Sequence, residues 1–347
     1  MFILGIETSC DESSVAVLDE RGTVRSNLIA SQIERHRPFG GVVPEIASRE
    51  HLQHLMPLLE AALRKADVEL GEINALAVTA GPGLIGALLV GVAAGQGLAY
   101  GLGIPLVAVN HLEGHIFSPY LNSEGPATDL PKLFFSLVIS GGHSSLYEVD
   151  VVTSSIRMMS RTRDDAAGEV FDKVAKFVGL PYPGGPQVES CAASGDPQRF
   201  PFTVAQLKGD SLDFSFSGLK AAAIRLARQM GLDQSEQSSS SGQPALADFC
   251  ASFQRAIGDQ ILDRLHRAWP TGEGAGELVL AGGVAANGSI RERVQDWGRQ
   301  RGITVRLPQK LYCTDNGAMI AFAGLRRLKR GEVADGLRVQ AQSRMAV

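Results

Sequence analysis

The chain carries no excess of positive charge. Its 347 residues hold 33 Lys and Arg against 37 Asp and Glu, a formal net charge of −4, with a pI near 6.0. That balance excludes a protein that coats nucleic acid or anionic membrane by bulk attraction. Cysteine is scarce: Cys10, Cys191, Cys250 and Cys313 are widely spread and form no C-x-x-C. Neither a disulfide framework nor a zinc ribbon is indicated, and a reducing cytosol fits. No basic n-region or cleavage pattern follows Met1, which argues against a secretory signal. Charge is absent altogether from Asn74 to Leu112, a stretch long enough to span a bilayer. However, no Lys or Arg between Lys65 and Lys132 sets an orientation, and Pro82 and Pro105 punctuate a strand, helix, strand pattern. The expectation is a buried helix of a soluble α/β core, with no membrane.

What is abundant is glycine, 39 residues, about 11% against a usual roughly 7%. It falls in short clusters, Gly40-Gly41, Gly81-Pro82-Gly83, Gly141-Gly142, Gly184-Gly185 and Gly282-Gly283, as expected where backbone comes close to a ligand. The length suits two domains. An apolar strand from Phe2 to Glu7, a polar turn and an alternating strand from Ser14 to Asp19 open the chain, and a third strand is predicted over 23–30. A long helix from Pro44, a strand over 75–80, a helix after Gly83 and a strand over 105–109 follow. The plan then repeats with strands over 133–140, 145–150 and 156–160, a helix from Asp164 to Gly179, a strand over 277–282, a helix over 288–301 and a strand over 303–307. Two hairpin-led halves indicate a duplicated α/β fold. Residues 233–244, DQSEQSSSSGQP, are the one low-complexity stretch and read as a flexible loop between helices.

His111-Leu-Glu-Gly-His115 sets two imidazoles one helical turn apart, able to point at the same ion. The zincin pattern needs its glutamate directly after the first histidine; Glu113 is two residues on, so no peptidase base is supplied. The best third ligand is Asp315, which also stands where a helix begins and so doubles as a routine N-cap candidate. Two histidines and a carboxylate leave positions open for substrate, with zinc or iron as occupants. His51 and His54, with no evident carboxylate partner, read as solvated or packed. The first hairpin turn, Glu7 to Ser14, concentrates hydroxyls and carboxylates. The matching turn, Ser140-Gly141-Gly142-His143-Ser144, is shaped for close phosphate approach. Asp164 and Asp165 are plausible helix caps, and Asp165, Glu169 and Asp172 form an acidic stripe.

Gly-Ile-Glu-Thr-Ser-Cys-Asp-Glu-Ser, His-Leu-Glu-Gly-His, Ile-Ser-Gly-Gly-His, Asp-Asp-Ala-Ala-Gly-Glu-Val-Phe-Asp-Lys, Phe-Ser-Phe-Ser-Gly-Leu-Lys, Leu-Ala-Gly-Gly-Val-Ala-Ala-Asn and Cys-Thr-Asp-Asn-Gly-Ala-Met together resemble the bacterial TsaD family from about residue 2 to about residue 326. The resemblance implies a duplicated actin-like (Hsp70/sugar-kinase) α/β fold with two lobes around a central cleft. Residues 1–130 would form the N-terminal lobe, with helix 315–330 packing back on it, and 131–314 the C-terminal lobe. It implies a tRNA N6-adenosine threonylcarbamoyltransferase, moving the threonylcarbamoyl group of threonylcarbamoyl-adenylate to the adenosine just 3′ of the anticodon in tRNAs reading codons that begin with A. Carried over by position, the ligands of one divalent metal ion, iron before zinc, are His111, His115 and Asp315. The substrate positions are Val138, Ile139, Ser140, Gly141, Gly142, Asp172, Gly185 and Asn287. Asp11, or failing it Glu12, is the expected residue to orient the amine or take its proton. Partners implied are the tRNA, a TsaB-like paralogue, a TsaE-like ATPase and an upstream synthase, in the cytoplasm. An ATP phosphotransferase, a metallopeptidase and a noncatalytic scaffold are the rival readings. With no bulk positive charge, tRNA binding would need a local patch, Arg157, Arg161 and Arg163 or the Arg326 to Arg330 run, or charge from a partner.

Overall fold

The computed structural model describes residues 1–204, 207, 211–233, 243–269, 276–333 and 336–347. The chain divides into two units, 1–130 with 308–347, and 131–307. The low-complexity residues 234–242, within the loop expected over 233–244, lie outside the described residues.

Unit 1 opens with β1 (Phe2–Glu7), β2 (Glu12–Asp19) and β3 (Val24–Ser31), continues through the short α1 (Ile33–His36) and the long α2 (Pro44–Ala66), then β4 (Ile73–Gly81), α3 (Ile85–Leu102), β5 (Leu106–Asn110) and α4 (His111–Phe117). Its sheet runs β3-β2-β1-β4-β5; β1, β2 and β3 pair antiparallel and β1, β4 and β5 parallel. Leu4, Ile6, Val15 and Val17 alternate onto one face and join Leu55, Leu59 and Leu63 of α2 in the core, each such burial stabilising by on the order of 1.5–3 kcal/mol. Proline at the first position of α2 suits a helix start, since the missing N–H has no intrahelical partner there. The uncharged stretch forms the expected strand, helix, strand. α3 is long and apolar enough to cross a membrane by length and composition alone. One of its faces packs on β4 and α2, while Ile85, Leu89 and Tyr100 are exposed, so the expected burial holds for only 33% of the helix.

Unit 2 contains β6 (Leu133–Ile139), β7 (Ser144–Asp150), β8 (Ser155–Arg161), α5 (Ala167–Phe177), α6 (Gly184–Ala192), α7 (Ser217–Gln229), α8 (Gln243–Ala268), β9 (Glu277–Ala281), α9 (Gly288–Arg301) and β10 (Thr304–Arg306). Its sheet, β10-β9-β6-β7-β8, read from the other end repeats the order and strand directions of the first. Leu137, Ile139 and Leu146 of this sheet meet Val170, Phe171 and Val174 of α5 and Phe249 and Phe253 of α8.

The sequence pattern predicts a helix from Asp164 with the two aspartates as caps. α5 begins instead at Ala167, where the Ser144 hydroxyl accepts the Ala167 N–H at 3.0 Å. Asp164 accepts the backbone N–H groups of Phe216 and Ser217 and the hydroxyls of Ser215 and Ser217, so it caps α7 from a distant segment. Asp165 is held by Lys173 and Lys220. The acidic stripe thus loses its first member, because Asp165 lies ahead of the helix start and is shared between Lys173 of α5 and Lys220 of α7.

The chain then returns to unit 1 with α10 (Gly317–Lys329), which packs on β1, β2 and β4. The approach requires glycine on both sides: a Cβ on Gly5 would lie 2.3 Å from the Gly317 carbonyl oxygen.

Candidate functional site

The short helix α4 starts at a fixed point because Asn110 caps it, its Oδ1 accepting the Leu112 N–H at 2.8 Å. One turn separates His111 from His115, and their rings meet edge to face at 4.7 Å. The third group arrives from the start of α10. Asp315 is not the cap of that helix: Asn316 takes the role, accepting the Met319 N–H at 2.9 Å. The Asp315 carboxylate is thereby available to the histidines, with Oδ1 3.1 Å from His115 Nε2 and 3.5 Å from His111 Nε2. One donor atom from each of the three lies within 4.8 Å of the others. Two imidazoles and one carboxylate suit iron or zinc and leave positions for substrate, so the residues fit a catalytic metal ion.

Behind this trio stands Glu7, fully buried at the end of β1. Its Oε2 lies 3.0 Å from His111 Nδ1 and accepts the Thr79 hydroxyl at 2.6 Å, while the Ser9 N–H donates to Oε1. A carboxylate on Nδ1 keeps the proton there and turns the Nε2 lone pair toward a metal. The residue types of this turn are evident in the sequence; the pairing of Glu7 with a histidine 104 positions later is not. Burial by itself would raise the Glu7 carboxyl, but His111 beside it draws it below its ordinary value. Burial likewise opposes charge on His111, yet Asp315 and Glu7 prevail and push its pKa up to about 9. The cluster therefore favours a cation, whether a proton on His111 or a metal ion.

Asp11 and Glu12 close the same turn. Burial, then Asp11 and Asp315, push the Glu12 carboxyl well up. Burial and Asp11 push the Cys10 thiol up too, so it stays protonated and supplies no thiolate nucleophile. His54, read from sequence as lacking a carboxylate, pairs with Glu50 at 3.1 Å. His51, in contrast, is fully buried.

Unit 2 carries the other expected positions. In the turn between β6 and β7 the Ser140 N–H donates to the His143 carbonyl at 2.8 Å and the Ser140 hydroxyl accepts the His143 N–H. Gly141 and Gly142 have open space where a Cβ would stand. Val138 and Ile139 point their side chains into the core, leaving only backbone to meet a ligand. Asp172 accepts the Gly184 N–H at 2.7 Å, which ties it to the turn bearing Gly185, also open. Asn287 is occupied at both ends of its amide: Oδ1 accepts the Ile290 N–H to cap α9, and Nδ2 donates to Gln254 at 2.7 Å.

The arginines considered for tRNA are largely engaged inside the chain. Arg157 pairs with Glu148, Arg163 with Asp213, Arg327 with Glu113 and Arg330 with Glu332, while Arg326 lies over the Phe117 ring. Internal neutralisation weakens both as phosphate-binding patches. The Arg327 pairing also commits Glu113, which removes it as a peptidase base.

The TsaD family model, described as tRNA N6-adenosine threonylcarbamoyltransferase, matches residues 23–322. Curated relatives of that name include one from Syntrophobacter fumaroxidans, 46% identical with 99% of each chain covered, and one from Moorella thermoacetica, 47% identical with 96% of this chain and 93% of the relative covered. Among solved structures, T. kodakarensis HypF matches with a TM-score of 0.59 at 14% identity, over 95% of this chain and 48% of that one. Component A of (R)-2-hydroxyglutaryl-CoA dehydratase from Acidaminococcus fermentans matches at 0.51 and 13% identity, over 95% and 99%. The fold is the expected actin-like one.

Proposed function

The chain belongs to the TsaD family of tRNA N6-adenosine threonylcarbamoyltransferases, and from that premise we propose how its side chains carry the reaction. The enzyme transfers a threonylcarbamoyl group to N6 of an adenosine in tRNA. We take the donor to be threonylcarbamoyl-adenylate and the acceptor to be the adenosine 3′-adjacent to the anticodon in tRNAs reading codons that begin with A. The carrying observation is the meeting of His111, His115 and Asp315, backed by Glu7.

These three residues would hold one divalent ion, and the two-histidine, one-carboxylate set favours iron over zinc. When bound, the ion supplies Lewis acidity toward the carbamoyl carbonyl and an anchor for the threonyl carboxylate. The remaining work belongs to the chain. An exocyclic adenine amine is a weak nucleophile, so it must be oriented and its proton accepted as the new C–N bond forms and AMP leaves. Asp11 takes that proton. Glu12, its carboxyl pushed well up by burial and then by its acidic neighbours, supports Asp11 as a hydrogen-bond donor. Backbone N–H groups at Gly141 and Gly142 receive the adenylate phosphate, in a turn closed by Ser140, with Asp172 and Gly185 lining the nucleoside's seat. Asn287 acts by holding the start of α9. A cytoplasmic location follows from the tRNA substrate, and a TsaB-like paralogue and a TsaE-like ATPase are the partners we assign from family membership.

Reconstitution with tRNA, threonylcarbamoyl-adenylate, these partners and defined metals, read by nucleoside mass spectrometry, tests the assignment. Threonylcarbamoyl-modified adenosine is expected with the metal-loaded enzyme; none under any metal or partner condition would overturn it.

A further inference from the structure

His51 projects from α2 toward the turn that carries Asp11 and Glu12. Its Nε2 lies 3.0 Å from the Cys10 carbonyl oxygen and its Nδ1 2.7 Å from the Ser13 hydroxyl. A carbonyl only accepts, so the proton sits on Nε2. Nδ1 is then the acceptor, as the Gln32 side-chain amide nitrogen 3.4 Å away also requires. The ring therefore grips the chain on both sides of Asp11 and Glu12.

The rest of the turn's anchorage makes that grip informative. The Ser9 carbonyl accepts the Leu84 N–H at 2.8 Å, and the Asp11 carbonyl accepts the Gln32 N–H at 3.0 Å. Three successive carbonyls are thus each held from a different segment, and only the Cys10 anchor is a side chain. The Gln32 side-chain oxygen continues the network to His36 Nε2 at 3.2 Å. A buried imidazole with both nitrogens used in this way fixes direction where simple packing would ask only for volume.

We propose that His51 is a positioning residue of the transfer reaction: by bonding Cys10 and Ser13 it sets the aim of the Asp11 carboxylate. The inference rests on the role given to Asp11 above. In the reconstituted enzyme, His51→Leu is expected to lower kcat about 10–100-fold, the cost of a misplacement of about 1 Å. KM for tRNA and the bound-metal content should stay at wild type. His51→Gln, whose amide can still donate to the Cys10 carbonyl, should recover most of the rate, and Ser13→Ala should cost about threefold. A folded His51→Leu enzyme with wild-type kcat, or a His51→Gln enzyme as slow as His51→Leu, overturns the proposal. Should His51→Leu fail to fold, nitrogen-15 spectra of the wild-type imidazole decide: protonation on Nε2 is expected, and protonation on Nδ1 overturns it. Asp11→Ala separates the two levels. Full transfer in Asp11→Ala defeats the role of Asp11. Lost transfer there with intact transfer in His51→Leu defeats the role of His51 alone. A double variant no slower than Asp11→Ala is the expected result.

Discussion

The turn after β1 and the turn after β6 occupy the same place in two sheets of identical order, yet they are built from opposite materials. The first, Thr8 to Asp11, is crowded with side chains, with Thr8, Ser9 and Asp11 buried, and Glu7 at its edge reaches His111. The second offers Gly141 and Gly142 with open space where side chains would be. Duplication conserved the frame while the contents diverged: one turn is built of charged and hydroxyl side chains, the other of bare backbone. Charge demands partners from several elements, and so unit 1 draws on β1, β4, α2, α4 and the start of α10 around one cluster. Backbone demands little beyond a fixed loop.

The sharpest test of that difference removes a ligand from the first turn's side. His115→Ala is expected to abolish stoichiometric metal in elemental analysis and to cut transfer by about a thousandfold, since a Lewis acid supplies several kcal/mol. Proton competition should give the next largest effect. His111, pushed up to about 9 by Asp315 and Glu7 against the opposing effect of burial, is protonated at neutral pH in the metal-free enzyme. Metal must displace that proton, so apparent metal affinity should rise about tenfold per pH unit from pH 7 to 9. The same raised pKa gives the metal-free fold a contribution that is full below about 6.5 and lost as pH rises through about 9. Glu7→Gln should flatten the affinity slope and weaken metal binding by about 10–100-fold, read by chelator competition. The smallest effect belongs to the second turn. Gly142→Val should fold normally, because nothing stands where its side chain goes, and should weaken adenylate binding about tenfold, with no change in metal content or its pH slope. A pH-dependent loss of metal in Gly142→Val would break the contrast.

The fold was legible because its signals are local: an apolar β1 and an alternating β2, an uncharged strand, helix, strand, and glycine turns recurring at matching places. His111 and His115 were legible for the same reason, being one helical turn apart. What escaped the sequence is pairing over distance. Nothing around Asp164 announces that it will cap α7 some 50 residues on. At the start of α10, Asp315 and Asn316 are equally good caps by type, and only the structure assigns the cap to Asn316. His51 carries no local sign of the carbonyl 41 positions earlier that fixes its proton. Buried polar groups take whichever partner the completed packing offers, and that choice is made last.

The return of α10 has a consequence in time. Asp315 lies 200 residues beyond His115, an interval that a ribosome covers in about ten to forty seconds at its usual speed. Throughout that interval the two histidines exist without their carboxylate, and the face of β1 that receives Gly317 lies bare. A three-residue cluster of His111, His115 and Asp315 would therefore assemble only after Asp315 has been made, and not while the histidines alone are out.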